Sequence, residues 1–302
     1  MVNEKLMNLN ENHVNQSWQP NADHYREIDP IENNINIGMN YARLLDGKVC
    51  LITGASYGMG YKMAEVYAQH GAKLIITARN LDKLEAAAEK IKKIVPDAEI
   101  NCLAADVMKP EDTKMVFEFI KEKYGRIDTL VNNVGAGDPY IPDDFDEEAL
   151  NYFIDLNLKA PMRYCEEALK MMLEQNYGNI VNVSSINATR PLCGAVYSAA
   201  KGGINVFTKD IAIRCVGTGV HANVLGPGFT ITPLSLKQET GKTETSNTAA
   251  KPCAYLPILH TKSVRNVPTF GVDQAHLALF LGCDLSRCIT GQVINCDNGQ
   301  YL

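Results

Sequence analysis

A chain of 302 residues, 46% hydrophobic and 21% charged, can bury a substantial core and reads as an ordinary soluble globular protein. Its net charge of −6, with no long basic run, argues against nucleic acid and against an anionic membrane as partners. Nine cysteines without a C-x-x-C pair and six scattered histidines suit reduced, core-filling thiols and predict no metal site.

Residues 1–46 form a polar extension, rich in asparagine and acids, with no apolar run of export or membrane length, so the expected location is cytoplasmic. It is either a solvated tail or, through Trp18, Tyr25 and Tyr41, a segment docked on the body or on a neighbouring subunit. From Lys48 the pattern is regular. Strands are predicted at VCLIT (49–53) and KLIITA (73–78), with a helix from Met59 to His70 between them and an amphipathic helix through Leu84, Ala88, Ile91 and Val95 after them. AEINCLA, RIDTLVNN, GNIVNVSS and VHANVL continue the strands, alternating with a helix after Pro110, a long helix across 146–176 and a helix from Gly194. This order predicts an α/β, doubly wound parallel sheet (a Rossmann fold) as one domain over 47–302. The stretch from Thr230 to Phe270 interrupts it, and its length fits a lid or binding loop, or a surface excursion.

Two constellations carry chemistry. Thr53-Gly54-Ala55-Ser56-Tyr57-Gly58-Met59-Gly60 leads from the first strand straight into a helix. Glycines there let the backbone approach a pyrophosphate, which the free N–H groups and dipole of the helix N-terminus attract. Tyr197 and Lys201 lie one helical turn apart, so the ammonium favours the phenolate and lowers the tyrosine pKa from its usual value of about 10.

With Asp106-Val107 after the third strand, Asn132-Asn133-Val134-Gly135 after the fourth, Asn157, Ser185, Pro227-Gly228 with Thr232, and the closing ITGQV and Asp297-Asn298-Gly299, the chain resembles the short-chain dehydrogenases/reductases from about Gly47 to Leu302. The resemblance implies an NAD(P)-dependent enzyme acting on CH–OH groups, assembled as a homotetramer. It implies that Asp106 and Val107 contact the adenine and that Asn132 and Gly135 support the nucleotide and the central strand. Asn133, Thr230, Pro227 and Gly228 would join the cofactor site, and Thr232 would meet the nicotinamide carboxamide. Asp106 also reads as a turn or cap residue, and the asparagine pair as partners for loop backbone. In the implied mechanism Ser185 orients the carbonyl, Tyr197 donates its proton, Lys201 lowers the Tyr197 pKa and binds the nicotinamide ribose, and Asn157 holds a water.

The end of the second strand, Thr77-Ala78-Arg79-Asn80, lacks the acid that accepts from the ribose 2′-OH of NAD. Arg79 therefore favours NADP(H), with NAD(H) the alternative if Arg79 stacks on the adenine. Ser185 stands twelve residues before Tyr197, one fewer than the family spacing, which shortens the loop carrying Arg190, Pro191, Leu192 and Cys193. Tyr140, Ile141, Pro142, Leu192, Cys193 and the apolar ends of the 230–270 insertion would wall a pocket for a bulky apolar ketone or secondary alcohol. That profile, with the polar extension, is similar to bacterial hydroxysteroid dehydrogenases, among them the 20β type. The alternatives are a 3-oxoacyl-carrier-protein reductase, which the acidic charge counts against, and a nucleotide-binding regulatory protein without turnover.

Overall fold

Each inner strand is a short, largely apolar run buried from both sides, and the two edge runs are half-buried. In the computed structural model, which describes residues 41–191, 194–232 and 268–300, these runs form β1 (Val49–Thr53), β2 (Lys73–Ala78), β3 (Ile100–Ala104), β4 (Thr129–Asn132), β5 (Gly178–Val183), β6 (Val220–Pro227) and β9 (Val293–Cys296). They pair in the order β3-β2-β1-β4-β5-β6-β9, every pairing parallel. The order reverses between β1 and β4, which opens a crevice at the carboxyl ends of those two strands.

Alternation along the strands sends side chains to two cores. Cys50, Ile52, Leu74, Ile76, Val131 and Val181 face one core, closed by α1 (Gly58–Gln69), α2 (Leu81–Ile94) and α7 (Gly271–Leu281). Val49, Leu51, Ile75, Leu130 and Ile180 face the other, closed by α3 (Pro110–Tyr124), α5 (Ala160–Glu174) and the far end of α6 (Ala195–Arg214). Helices thus cover both faces, as the apolar periodicity predicts. Leu45 is buried in the first core and its N–H bonds to His70 O, so the body takes in residues ahead of Gly47.

Two local features depart from the predicted pattern. The helix expected across 146–176 is broken into α4 (Glu147–Ile154), a π-helical turn (Asp155–Lys159) and α5. Residue 161 is proline and has no N–H for the carbonyl of Asn157, the bond an α-helix would make there. The insertion begins and ends in a two-residue parallel pair, β7 (Thr230–Ile231) with β8 (Thr269–Phe270). The Thr230 and Thr269 hydroxyls lie 2.9 Å apart, and buried Gln274 donates to the Thr269 hydroxyl and to Cys296 O, which closes the base of the insertion. Residues 233–267, Leu192, Cys193 and the extension with Trp18 and Tyr25 lie outside the described residues. Among the described residues no helix is long and apolar enough to cross a membrane, no cluster of side chains is suited to a metal ion, and all seven cysteines are free.

Candidate active site

The carboxyl ends of β1, β4 and β5 bring the predicted residues to one edge of the sheet. At the end of β1, Gly54 takes a φ of 70° and Gly58 a φ of 64°, conformations that suit glycine. A Cβ at Gly60 would run into the Gly54 carbonyl and the Asn133 carboxamide, so the first helical turn can lie against the strand end only with glycine there. Helix α1 is preceded by Tyr57, whose side chain does not cap it, and has no acid in its first turn. Its leading N–H groups are thus open to an anion.

Asn133 ties this turn across the crevice. Its carboxamide donates to Thr53 O at 2.9 Å and to Gly54 O at 3.3 Å, and its N–H bonds to the Thr53 hydroxyl at 3.0 Å. Its carboxamide oxygen is buried without a protein partner, an acceptor left for a ligand. Thr232 is brought to the same turn, its Cβ lying 3.8 Å from where a Cβ on Gly58 would stand. Arg79 follows β2 on the exposed surface, in no ion pair among the described residues. Ser56, Tyr57 and Met59 fill the turn between these points, with Tyr57 exposed.

Other predicted cofactor residues have local tasks. Asn132 is buried and donates to Asn182 Oδ1 at 2.8 Å and to Pro161 O at 3.3 Å, which braces β4 against β5 and α5 rather than facing the crevice. Val107 is packed in the second core. Asp106 makes the turn contact open to it, accepting from Met108 N at 3.0 Å. Thr230 points its hydroxyl to Gly228 O and Thr269, at the base of the insertion.

The second constellation converges from three elements. Lys201 on α6 is 3% exposed, donates to Val183 O at the end of β5 at 2.7 Å, and holds its Nζ 5.6 Å from the centre of the Tyr197 ring. Burial lowers its pKa from 10.5 to about 8. Gly135 makes the approach possible: a Cβ there would stand 2.9 Å from Asn157 Oδ1 and 3.0 Å from Lys201 Nζ. Asn157 lies inside the π-helical turn, fully buried, and its carboxamide bonds to Ala136 N, Ala136 O and Phe153 O. Such turns recur at functional sites. The two serines are told apart: Ser184 donates to Lys201 O at 3.1 Å, while the Ser185 hydroxyl lies on the loop side and accepts from Asn187 at 3.0 Å.

Two residues outside the predicted set hold this centre together. Asp138, in the loop after β4, accepts from the backbone N–H of Tyr197 and of Tyr140. Gln300 accepts from Phe229 N with its side chain and from Arg190 Nη1 with its carbonyl, joining the shortened loop to the segment after Pro227-Gly228. Both are contacts between segments far apart in sequence; the one local hint was a helix opening at Gly194, which has no side chain to cap it.

A glycine turn on an open helix N-terminus, beside a buried lysine against a tyrosine ring, defines a dinucleotide-dependent oxidoreductase of the parallel α/β class. The chain belongs to the short chain dehydrogenase family, whose model matches residues 48–243. Its relatives in that family include the 3-oxoacyl-(acyl-carrier-protein) reductase of Thermotoga maritima, 34% identical over 262 residues, an alignment covering 85% of this chain and 99% of that one. Among solved structures it is similar to levodione reductase, at 28% identity and a TM-score of 0.75 over 85% of this chain and 98% of that one. It is also similar to L-sorbose reductase from Gluconobacter frateurii, solved with NADPH and L-sorbose, at 25% identity and a TM-score of 0.75 over 86% and 98% of the two chains.

Proposed function

We propose that the protein reduces a ketone to a secondary alcohol, reversibly, with Tyr197 as the proton donor. The observation that carries this reading is the burial of Lys201 against the Tyr197 ring beside the Ser185 strand end. A nicotinamide cofactor held by the glycine turn and by Lys201 would supply the hydride for the carbonyl carbon. Tyr197 gives its proton to the carbonyl oxygen and takes it back in the oxidative direction. Ser185 orients that oxygen, and the Lys201 charge favours the phenolate left behind. Asn157 braces the loop after β4 with its side chain and, by the family resemblance, would hold a water in the proton path.

The cofactor cradle is formed by Gly54, Ser56, Tyr57, Gly58, Met59 and Gly60, with Asn133 and Thr232 beside it. NADP(H) is favoured, on the strength of an exposed Arg79 after β2, in no ion pair among the described residues, and of Ala78 where NAD binding calls for an acid. Arg79→Ala should lower kcat/KM for NADPH by about tenfold or more and leave that for NADH nearly unchanged. Equal losses with both cofactors would place Arg79 elsewhere.

For the substrate we favour an apolar ketone of steroid size, from the apolar sequence Tyr140-Ile141-Pro142 after β4 and the shortened loop after Ser185. The second reading, a 3-oxoacyl thioester, is favoured by the Thermotoga maritima relative. Cofactor oxidation with a panel of ketosteroids, acetoacetyl thioesters and keto sugars separates them: turnover of the thioester alone would remove the steroid reading.

Free cysteines throughout the described residues suit the reducing cytoplasm. The homotetramer finds support in Val206 and Ile213, two turns apart on one face of α6 and 60% and 70% exposed. Sedimentation at micromolar concentration should give a tetramer, and Val206→Asp with Ile213→Asp a smaller species. A wild-type monomer would rule out the assembly.

A further inference from the structure

We propose that Asp138 is a positioning residue, whose carboxylate caps the helix carrying Tyr197 and sets where the phenol stands. The inference rests on Tyr197 as the proton donor. Helix α6 opens with no cap of its own, because Gly194 has no side chain and the first turn holds no acid. The unpaired N–H groups of a helix start need partners. Here the loop after β4 supplies them: Asp138 Oδ2 accepts from Tyr197 N at 2.5 Å, and Tyr140 O accepts from Ala195 N at 2.9 Å. Asp138 Oδ1 accepts from Tyr140 N at 2.8 Å, which holds the loop in the shape that delivers both bonds.

A carboxylate at a helix N-terminus is favoured by the helix dipole as well as by its hydrogen bonds. Asp138 is 6% exposed, so bulk water has little access to stand in for it. Burial raises its carboxyl above the usual range, and the N–H donors of Tyr197 and Tyr140 act in the opposite sense. The fit is tight from the helix side too. Gly194 takes a φ of 46°, and a Cβ there would run into the Asp138 carboxylate and carbonyl. The N–H that Asp138 holds belongs to Tyr197 itself, so releasing it frees the Cα that carries the phenol. A misplacement of about 1 Å at a reacting group costs about 10²-fold in rate.

The test compares Asp138→Ala, Asp138→Asn and Gly194→Ala with wild type for kcat, KM, the NADPH dissociation constant and the thermal midpoint, using the ketone from the panel that turns over fastest. Asp138→Ala should lose about 10²-fold in kcat with KM and NADPH affinity little changed. Asp138→Asn keeps one acceptor oxygen and should recover part of the loss, while Gly194→Ala, which pushes the carboxylate away, should resemble Asp138→Ala. Unchanged kcat in Asp138→Ala overturns the proposal, as does a loss of NADPH affinity in the folded variant parallel to that of kcat. If Asp138→Ala does not fold, the other two variants carry the test, and failure of all three to fold makes Asp138 a purely structural residue and overturns it as well. Tyr197→Phe is run alongside: wild-type turnover there overturns the proton-donor reading itself, whereas an inactive Tyr197→Phe beside normal Asp138 variants removes only the present inference.

Discussion

Tyr197→Phe is expected to lower kcat for ketone reduction by about 10²–10⁴-fold while NADPH binds as in the wild type. The substitution removes only the hydroxyl. The ring that Lys201 Nζ faces at 5.6 Å stays, as do the backbone N–H held by Asp138 and the helix between them. What is lost is the proton for the developing alkoxide, a group needed in the transition state and not for binding, so the effect belongs in kcat rather than KM. A kcat lowered to that extent with an unchanged NADPH dissociation constant is the expected pair of results. Full turnover would remove Tyr197 from the chemistry.

Lys201→Met is expected to abolish turnover and yet to make the ligand-free protein more stable at pH 7. Lys201 is buried with one hydrogen-bond acceptor, Val183 O, and burial lowers its pKa from 10.5 to about 8. Below pH 8 the lysine is charged in both the folded and the unfolded chain, and the folded chain bears the full cost of desolvating it. Between about pH 8 and 10.5 the folded chain has released the proton while the unfolded chain still binds it, so wild-type stability rises with pH on this account. The stability gap between variant and wild type should therefore be widest below pH 8 and shrink toward 10.5. Its size is about 1–3 kcal/mol, the desolvation cost less the hydrogen bond lost at Val183. Denaturant unfolding of both proteins across this range checks it, with loss of stability in Lys201→Met as the contrary result. A catalytic group that destabilises its own fold is a cost functional sites often carry.

The parts of this protein that sequence reveals are those whose cause is local. The strands at 49–53 and 73–78 are legible because each is a short apolar run between turn residues, and the glycine turn because it must lead from strand to helix within a few residues. Tyr197 and Lys201 share a helix face by spacing alone. What escaped has a distant cause. Asp138 meets Tyr197 across fifty-nine residues, and Arg190 meets Gln300 across one hundred and ten; no periodicity encodes either pairing. The inward turns of Asn132 and Thr230 depend on neighbours, Asn182 and Gln274, supplied by other elements. The break in the long helix lies between these cases: Pro161 stands in the middle of the helix expected over 146–176, where a missing N–H argues for a break, and only the fold shows that the break takes the form of a π-helical turn around a buried Asn157.

Ketone reduction at the Tyr197–Lys201 centre, with NADPH as the preferred hydride source, is a property of steady-state turnover. The most direct test is the steady-state oxidation of NADPH and NADH by wild type and Tyr197→Phe against ketosteroids, acetoacetyl thioesters and keto sugars. The expected result is oxidation dependent on a ketone, faster with NADPH, strongest on a ketosteroid and lowered by about 10²–10⁴-fold in Tyr197→Phe. No oxidation with any carbonyl compound in the panel, or equal rates in the two proteins, would contradict it.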